Sequence, residues 1–265
     1  MLLNSVVIIL REVLEAALMV SVLLALTGQL KIRGLWLARA FALGIAGAAL
    51  YAYQLERISD LFDGVGQEVV NAGMQIVVFC ALITCMFCAA RAFRHSAESL
   101  RLLPAAMAIA VGVAVAREGS EILIYVSGFL QADNFFANVG VGSFVGACIG
   151  LSAGVLLYYL LLMLPARRSR LAIQVLLSLI GAGMSAQAAR LLIQADWLTV
   201  EGALWDTSSI LPETSTAGQL LYALIGYEAS PSTLEVVIYL SSLLLMGAAY
   251  LLGRYLFPDR SVPAA

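Results

Sequence analysis

The sequence predicts an all-α polytopic membrane protein of seven transmembrane helices, built as a three-plus-three inverted repeat with one helix added. Three observations carry that expectation: a composition too apolar for water, seven long apolar runs, and one charged motif that occurs twice. Of 265 residues, 62% are hydrophobic and 12% are charged, with a mean hydropathy of +0.95. A water-soluble domain carries about 25% charged residues. Too little polar surface remains to face water, so the solvent is lipid. The net charge of −2 and the absence of a basic stripe argue against a nucleic-acid partner.

A spanning helix needs roughly 20 predominantly apolar residues. Runs of that kind cover Leu3–Gly28, Leu35–Gln54, Val69–Arg91, Leu102–Gln131, Val139–Leu164, Leu171–Gln194 and Leu234–Leu256. Lipid offers no partner for an open backbone group, so helix is the assignment for each. The N-terminal stretch MLLNSVVIILREVLEAALMV has no basic leader and is interrupted by Arg11, Glu12 and Glu15. It reads as the first span and not as a cleaved signal peptide.

Charge sets the orientation. Lys31, Arg33, Arg39, Arg91, Arg94, Arg101, Arg167, Arg168, Arg170, Arg254 and Arg260 all fall on one side of the predicted spans, against Arg57 and Arg190 on the other. Basic residues accumulate on the cytoplasmic side, which puts the N-terminus outside and the C-terminus inside. The outer segments are acidic: Glu56, Asp60, Asp63 and Glu68 in one, then Asp196, Glu201, Asp206, Glu213 and Glu228 between Ala195 and Thr233. A solvated acidic face is the plain reading of such a run, and a weak local concentration of cations is the functional one. Trp197, Trp205, Tyr222 and Tyr227 fit a segment lying partly on the membrane interface.

The repeat appears in the first and fourth spans. REVLEAALMVSVLL from Arg11 and REGSEILIYVSGFL from Arg117 share Arg, both Glu, Val-Ser and the last Leu at a constant offset of 106. Gln75 and Gln174 each precede an Ala-Ala-Arg by the same spacing, a fainter echo in spans three and six. Three spans per copy invert the second copy in the membrane, an arrangement that places sites at the midplane between halves. The organisation expected is a first repeat over 1–95, a second over 96–194, an outer loop over 195–233, a seventh helix over 234–256 and a cytoplasmic tail over 257–265.

Arg11, Glu12, Glu15, Arg117, Glu118 and Glu121 together imply an insertion cost on the order of 15 kcal/mol, at about 2.5–3.5 kcal/mol per central charge. Glu12 and Glu15 lie i,i+3, as do Glu118 and Glu121, so each pair shares a helix face. Facing each other, four carboxylates are able to surround one cation, while Arg11–Glu15 and Arg117–Glu121 form i,i+4 ion pairs. Four acids against two bases leave −2. Interhelical glue would balance its signs, whereas a surplus of acid suits a multivalent ion. All-oxygen ligation favours ferric or ferrous iron, manganese or calcium.

Met19, Gln75, Tyr125, Met184, Ser185 and Gln187 are candidates for lining the path, though Met and Tyr in a bundle are more often packing. Cys80, Cys85, Cys88 and Cys148 read as small packing residues, and His95 as a solvated loop histidine. No histidine falls in a span, which argues against a redox enzyme with a haem or copper site. Gly44, Gly47, Gly146, Gly150 and Gly154 fit close helix packing.

These residues resemble the oxidase-dependent iron permease family, also called the iron/lead transporter family, in its bacterial ferrous/ferric form. The family motif Arg-Glu-x-x-Glu is present twice, as REVLE at Arg11–Glu15 and REGSE at Arg117–Glu121. The second copy has Ser120 where the family more often has an apolar residue. The likeness extends through GAGMSAQAARLLIQ (Gly181–Gln194), LWDTS (Leu204–Ser208) and GYEASPS (Gly226–Ser232). It implies high-affinity inward iron transport at a plasma membrane, here a bacterial inner membrane, with Glu12, Glu15, Glu118 and Glu121 as ligands or relay groups. It implies iron as substrate with no permanently bound cofactor. A separate periplasmic or extracellular iron-binding, oxidase or peroxidase protein would be the partner. The rival expectations are a permease for lead or manganese, and a non-transporting subunit of an uptake complex.

Overall fold

Backbone hydrogen bonding within the chain dominates the structure. The computed structural model describes residues 2–32, 35–93, 102–129, 139–200 and 202–255, and these are helical almost throughout. In order they form α1 (Leu2–Leu30), α2 (Trp36–Tyr53), α3 (Leu55–Ser59), a 3-10 turn (Leu61–Gly64), α4 (Gly66–Ala92), α5 (Leu103–Gly128), α6 (Val141–Met163), α7 (Ala166–Gln194), α8 (Thr216–Ile225) and α9 (Thr233–Tyr255). Arg33, Arg94, His95, Arg101, Gln131, Glu201, Arg260 and the tail lie outside the described residues, so the expectations attached to them are not addressed.

Seven of the described helices are 18 residues or longer, and each overlaps one of the predicted runs. Five of them, α2, α4, α6, α7 and α9, are long and apolar enough to cross a membrane. The other two, α1 and α5, carry the charged clusters. Outward faces are apolar: Leu43, Ile45 and Leu50 on α2, and Phe144, Leu156 and Met163 on α6, are exposed. That pattern belongs to a protein whose outside is as oily as its inside.

Local sequence sets the ends. Pro104 occupies the first turn of α5, where its missing N–H costs nothing. Ser215 caps α8 by accepting from Gly218 N at 3.0 Å, and Gly226 ends it in the left-handed region at φ 67°. Ser232 and Glu235 form a reciprocal box at the start of α9, with Ser232 N donating to Glu235 Oε2 at 2.6 Å. The segment expected as outer loop therefore contains a helix of its own, too short to span.

The closest packing is α1 on α6 and α2 on α5. Glycines make it. On α6, Gly142, Gly146, Gly150 and Gly154 form one buried stripe against α1. A Cβ at Gly146 would meet Val6 O at 2.5 Å, and one at Gly154 would meet Ala17 Cβ at 2.8 Å. On α2 the buried stripe is Ala40, Gly44 and Ala48, and a Cβ at Gly44 would meet Val115 at 2.7 Å. Ala40, Gly44 and Ala48 stand 106 residues before Gly146, Gly150 and Gly154, the offset that also relates REVLE to REGSE. Small residues at four-residue spacing let two backbones close until dispersion contacts are dense. Next to these pairs, α4 packs on α7, α9 lies against both, and α8 rests on α1 and α7.

Candidate cation site

The two charged motifs meet where α1 packs on α5. Glu12, Glu15, Glu118 and Arg117 are buried, while Arg11 and Glu121 are partly exposed. Oxygen atoms of Glu12, Glu118 and Glu121 lie within 4.8 Å of one another. Carboxylates about 5 Å apart repel by roughly 3 kcal/mol per pair at an effective dielectric near 20. A cation or protons must offset that repulsion.

The arginines divide unequally. Arg117 reaches three carboxylates: it donates to Glu118 Oε1, and its nitrogens lie 3.6 Å from Glu15 Oε2 and 3.4 Å from Glu121 Oε1. Arg11 pairs with one carboxylate among the described residues, Glu15, with Nε 3.4 Å from Oε1. Its guanidinium carbon stands 4.4 Å from the centre of the Tyr222 ring, a cation–π contact. Glu15 is thus held by both arginines and is not one of the three grouped carboxylates. Glu12 Oε2, Glu15 Oε2 and Glu118 Oε2 are buried without a hydrogen-bond partner. Buried acceptors are ordinarily satisfied, so orphaned oxygens in an acidic group mark space for a positive ligand.

Two clefts meet at this group. One, of about 300 Å³, is bounded by Arg11, Glu12, Glu213, Thr214, Gln219 and Tyr222, beneath α8. The other, of about 320 Å³, runs along α1 and α5 from Glu12 and Glu118 past Ala17, Val20 and Leu24 to Phe41, with apolar walls. Glu12 lines both.

The proposed path residues separate in space. Gln75 and Gln187 donate and accept one buried hydrogen bond of 2.5 Å between α4 and α7, and Ser185 donates to Ser242 on α9 at 2.6 Å. Met19 and Met184 are buried in the apolar core. Tyr125 and Ser5 share a hydrogen bond of 2.8 Å between α5 and α1. None of these six lines either of the two clefts.

A second charged group, not expected from the sequence, clasps the cap. Arg190, at the end of α7, donates to Glu228 and lies 3.9 Å from Glu213 Oε2. Glu213 Oε1 accepts from Ala229 N at 2.8 Å, Thr207 N donates to Ala229 O at 2.8 Å, and Leu204 N to Pro231 O at 2.8 Å. Gly183 and Gly226 stand backbone to backbone. The stretches 181–194, 204–208 and 226–232 therefore form one clasp that seats α8 over Arg11. Burial pushes the Glu228 carboxyl up to about 7 against the pull of Arg190. Burial, with the Glu15 charge adding, pushes the Tyr222 phenol up, so the ring facing Arg11 stays neutral.

Comparison with known proteins bears on what this arrangement is for. The model of the iron permease FTR1 family matches residues 2–262. The chain belongs to the iron permease FTR1 family. This FTR1-family chain is similar to the ferrous iron permease EfeU of Yersinia pestis, 26% identical over 252 residues covering 88% of this chain and 87% of that one. It is 27% identical to the ferrous iron permease EfeU of Escherichia coli O6:H1 over 251 residues, covering 88% and 89%. No solved structure matches it. Family and apolar helices together make it a multi-pass membrane protein.

Proposed function

We propose that this protein is an iron-uptake permease that carries the ion inward across a bacterial inner membrane through the paired Arg-Glu-x-x-Glu motifs of α1 and α5. One observation carries the reading: Glu12, Glu118 and Glu121 converge within 4.8 Å, with Glu12 Oε2 and Glu118 Oε2 buried and unpartnered, in a chain of an iron permease family. Glu12, Glu118 and Glu121 form the transit site. Glu15 is the fourth acid, held as a reserve ligand by Arg11 and Arg117, which keep the net charge near −2.

Iron approaches from the acidic outer face through the cleft under α8, meets Glu12, and leaves to the basic-rimmed cytoplasmic side. The seven long helices act as seven spans with the N-terminus outside, a first repeat over 1–95, an inverted second over 96–194 and a seventh span added. Support for the repeat comes from the shared offset of 106 in both the charged motifs and the small-residue stripes, and from the reciprocal packing of α1 on α6 and α2 on α5. A periplasmic iron-binding or oxidase protein would deliver the ion.

Uptake of radio-iron by cells expressing Glu12→Gln or Glu118→Gln at unchanged protein levels tests the reading, and near-normal uptake would defeat it. All-oxygen ligation also suits manganese and other borderline divalent ions. Competition at equal free metal decides between them, and metal flux in liposomes holding the purified protein alone excludes a merely structural subunit.

A further inference from the structure

A cavity lies away from the glutamates, at the opposite end of α7 from the clasp. It measures about 870 Å³ and is lined by Phe93, Arg167, Arg168, Arg170, Tyr250 and Arg254, among others. Four guanidinium groups from two helices thus face one space, and no acidic side chain among the described residues lines it. Aromatic faces hold two of them in place. Arg170 lies 5.0 Å from the Phe93 ring centre, and Arg254 lies 5.9 Å from that of Tyr250, to whose hydroxyl it donates at 2.9 Å. The cavity also sits at the start of α7, where Pro165 provides no side-chain cap and the helix dipole presents its positive end.

The positive-inside tendency accounts for arginines on this face, but it asks only for charge and not for a walled cavity. The volume falls within the range of small-ligand sites. Guanidinium groups bind phosphate oxygens through forked donors, more specifically than lysine. The surface beside it is apolar, with Leu171, which lines the cavity, and Val175 one turn on along α7 both exposed. A ligand with a phosphate at one end and hydrocarbon at the other matches both parts.

We infer that this cavity binds the phosphodiester headgroup of an anionic phospholipid, with its acyl chains along α7. A free inorganic phosphate would use the same guanidinium groups but leave the apolar rim unused. Basic pockets between helices at a membrane face are suited to such headgroups. This inference does not depend on which metal the protein carries.

The test is native mass spectrometry of the full chain, purified in zwitterionic detergent and titrated with phosphatidylglycerol, phosphatidylcholine of matched chains, or inorganic phosphate. Phosphatidylglycerol is expected to bind far more tightly than phosphatidylcholine. The triple variant R167Q/R168Q/R170Q is expected to lose binding on the order of a hundredfold, at about fivefold per arginine. The matching triple lysine variant, which keeps the charge and loses the forked donors, is expected to bind more tightly than the glutamine triple and less tightly than the parent, and the single variant Arg168→Gln to lose about fivefold, which keeps the test valid if the triple glutamine protein fails to fold. Equal binding of both lipids, or undiminished binding by the glutamine variants, overturns the site. Displacement of phosphatidylglycerol by millimolar inorganic phosphate overturns the lipid assignment.

Discussion

REVLE on α1 and REGSE on α5 are the same device in two settings. Glu15 and Glu121 are equivalent in sequence, yet the Glu15 side chain is fully buried while that of Glu121 is 33% exposed. The arginines reverse this: the Arg117 side chain is 9% exposed and the Arg11 side chain 42%. Arg117 serves three carboxylates, and Arg11 serves one and turns its other face to Tyr222. α8 lies over α1 and, among the described residues, has no counterpart over α5. A repeated motif therefore gives one arginine to charge balance within the acidic group and the other to the roof of the outer cleft.

The sharpest way to break that comparison is at the carboxylates. Glu12→Gln and Glu118→Gln are each expected to reduce iron uptake on the order of a hundredfold, since each removes an oxygen donor from the group. Glu121→Gln should cost less than either, because water can reach and replace that side chain.

Next come the arginines. Arg117→Leu should destabilise the protein by roughly 3–5 kcal/mol, the penalty for leaving buried charges uncompensated. Arg11→Leu should cost on the order of 1 kcal/mol, the scale of a partly exposed ion pair and a cation–π contact. Thermal melts in detergent measure both, and equal costs would erase the asymmetry.

The glycine stripes supply a third test. Gly44→Leu and Gly150→Leu occupy equivalent positions and should each destabilise by about 1–3 kcal/mol or more through overpacking. Gly73→Ala on α4, with nothing within 4 Å of the added methyl, should instead stabilise by about 0.5–1 kcal/mol.

The smallest effect concerns pH and the clasp. Glu228 is held up to about 7 in the folded state, above the ordinary 4.5. The folded state therefore keeps its proton longer than the unfolded chain does. The stability that this group contributes is complete below pH 4.5 and declines as pH rises through 7. Hydrogen exchange across residues 204–232, corrected for intrinsic rate, should show better protection at pH 5 than at pH 8. Glu228→Gln should flatten that difference.

Much of this was legible before any coordinates. Long apolar runs place the seven long helices to within a few residues, because lipid allows the backbone little else. The acids of the site announce themselves, since Glu12 or Glu118 in a run of Val, Leu and Ile has no cheap structural use. What the chain does not announce is the division of labour. Glu15 and Glu121 look identical in one dimension and differ only in the folded bundle, where one is fully buried and the other partly exposed. The ten residues of α8 are too few to register as a span, and its seat depends on Arg190, Glu213 and Glu228, which lie far apart in sequence. Nor does the chain announce that Gln75 and Gln187, both expected on the path, are hydrogen-bonded to each other and tie α4 to α7.

The reciprocal seating of α1 on α6 and α2 on α5 has a consequence for how the protein is made. Neither half of the chain holds the surface that its own first two helices fit. When α1 leaves the ribosome, its face for α6 and the acids of REVLE have no mate until about a hundred further residues have been synthesised, and the small-residue stripe of α2 waits about fifty for α5. Assembly is thus an all-or-none event late in translation, and a chain cut after its first half is a substrate for quality control, not a smaller working unit.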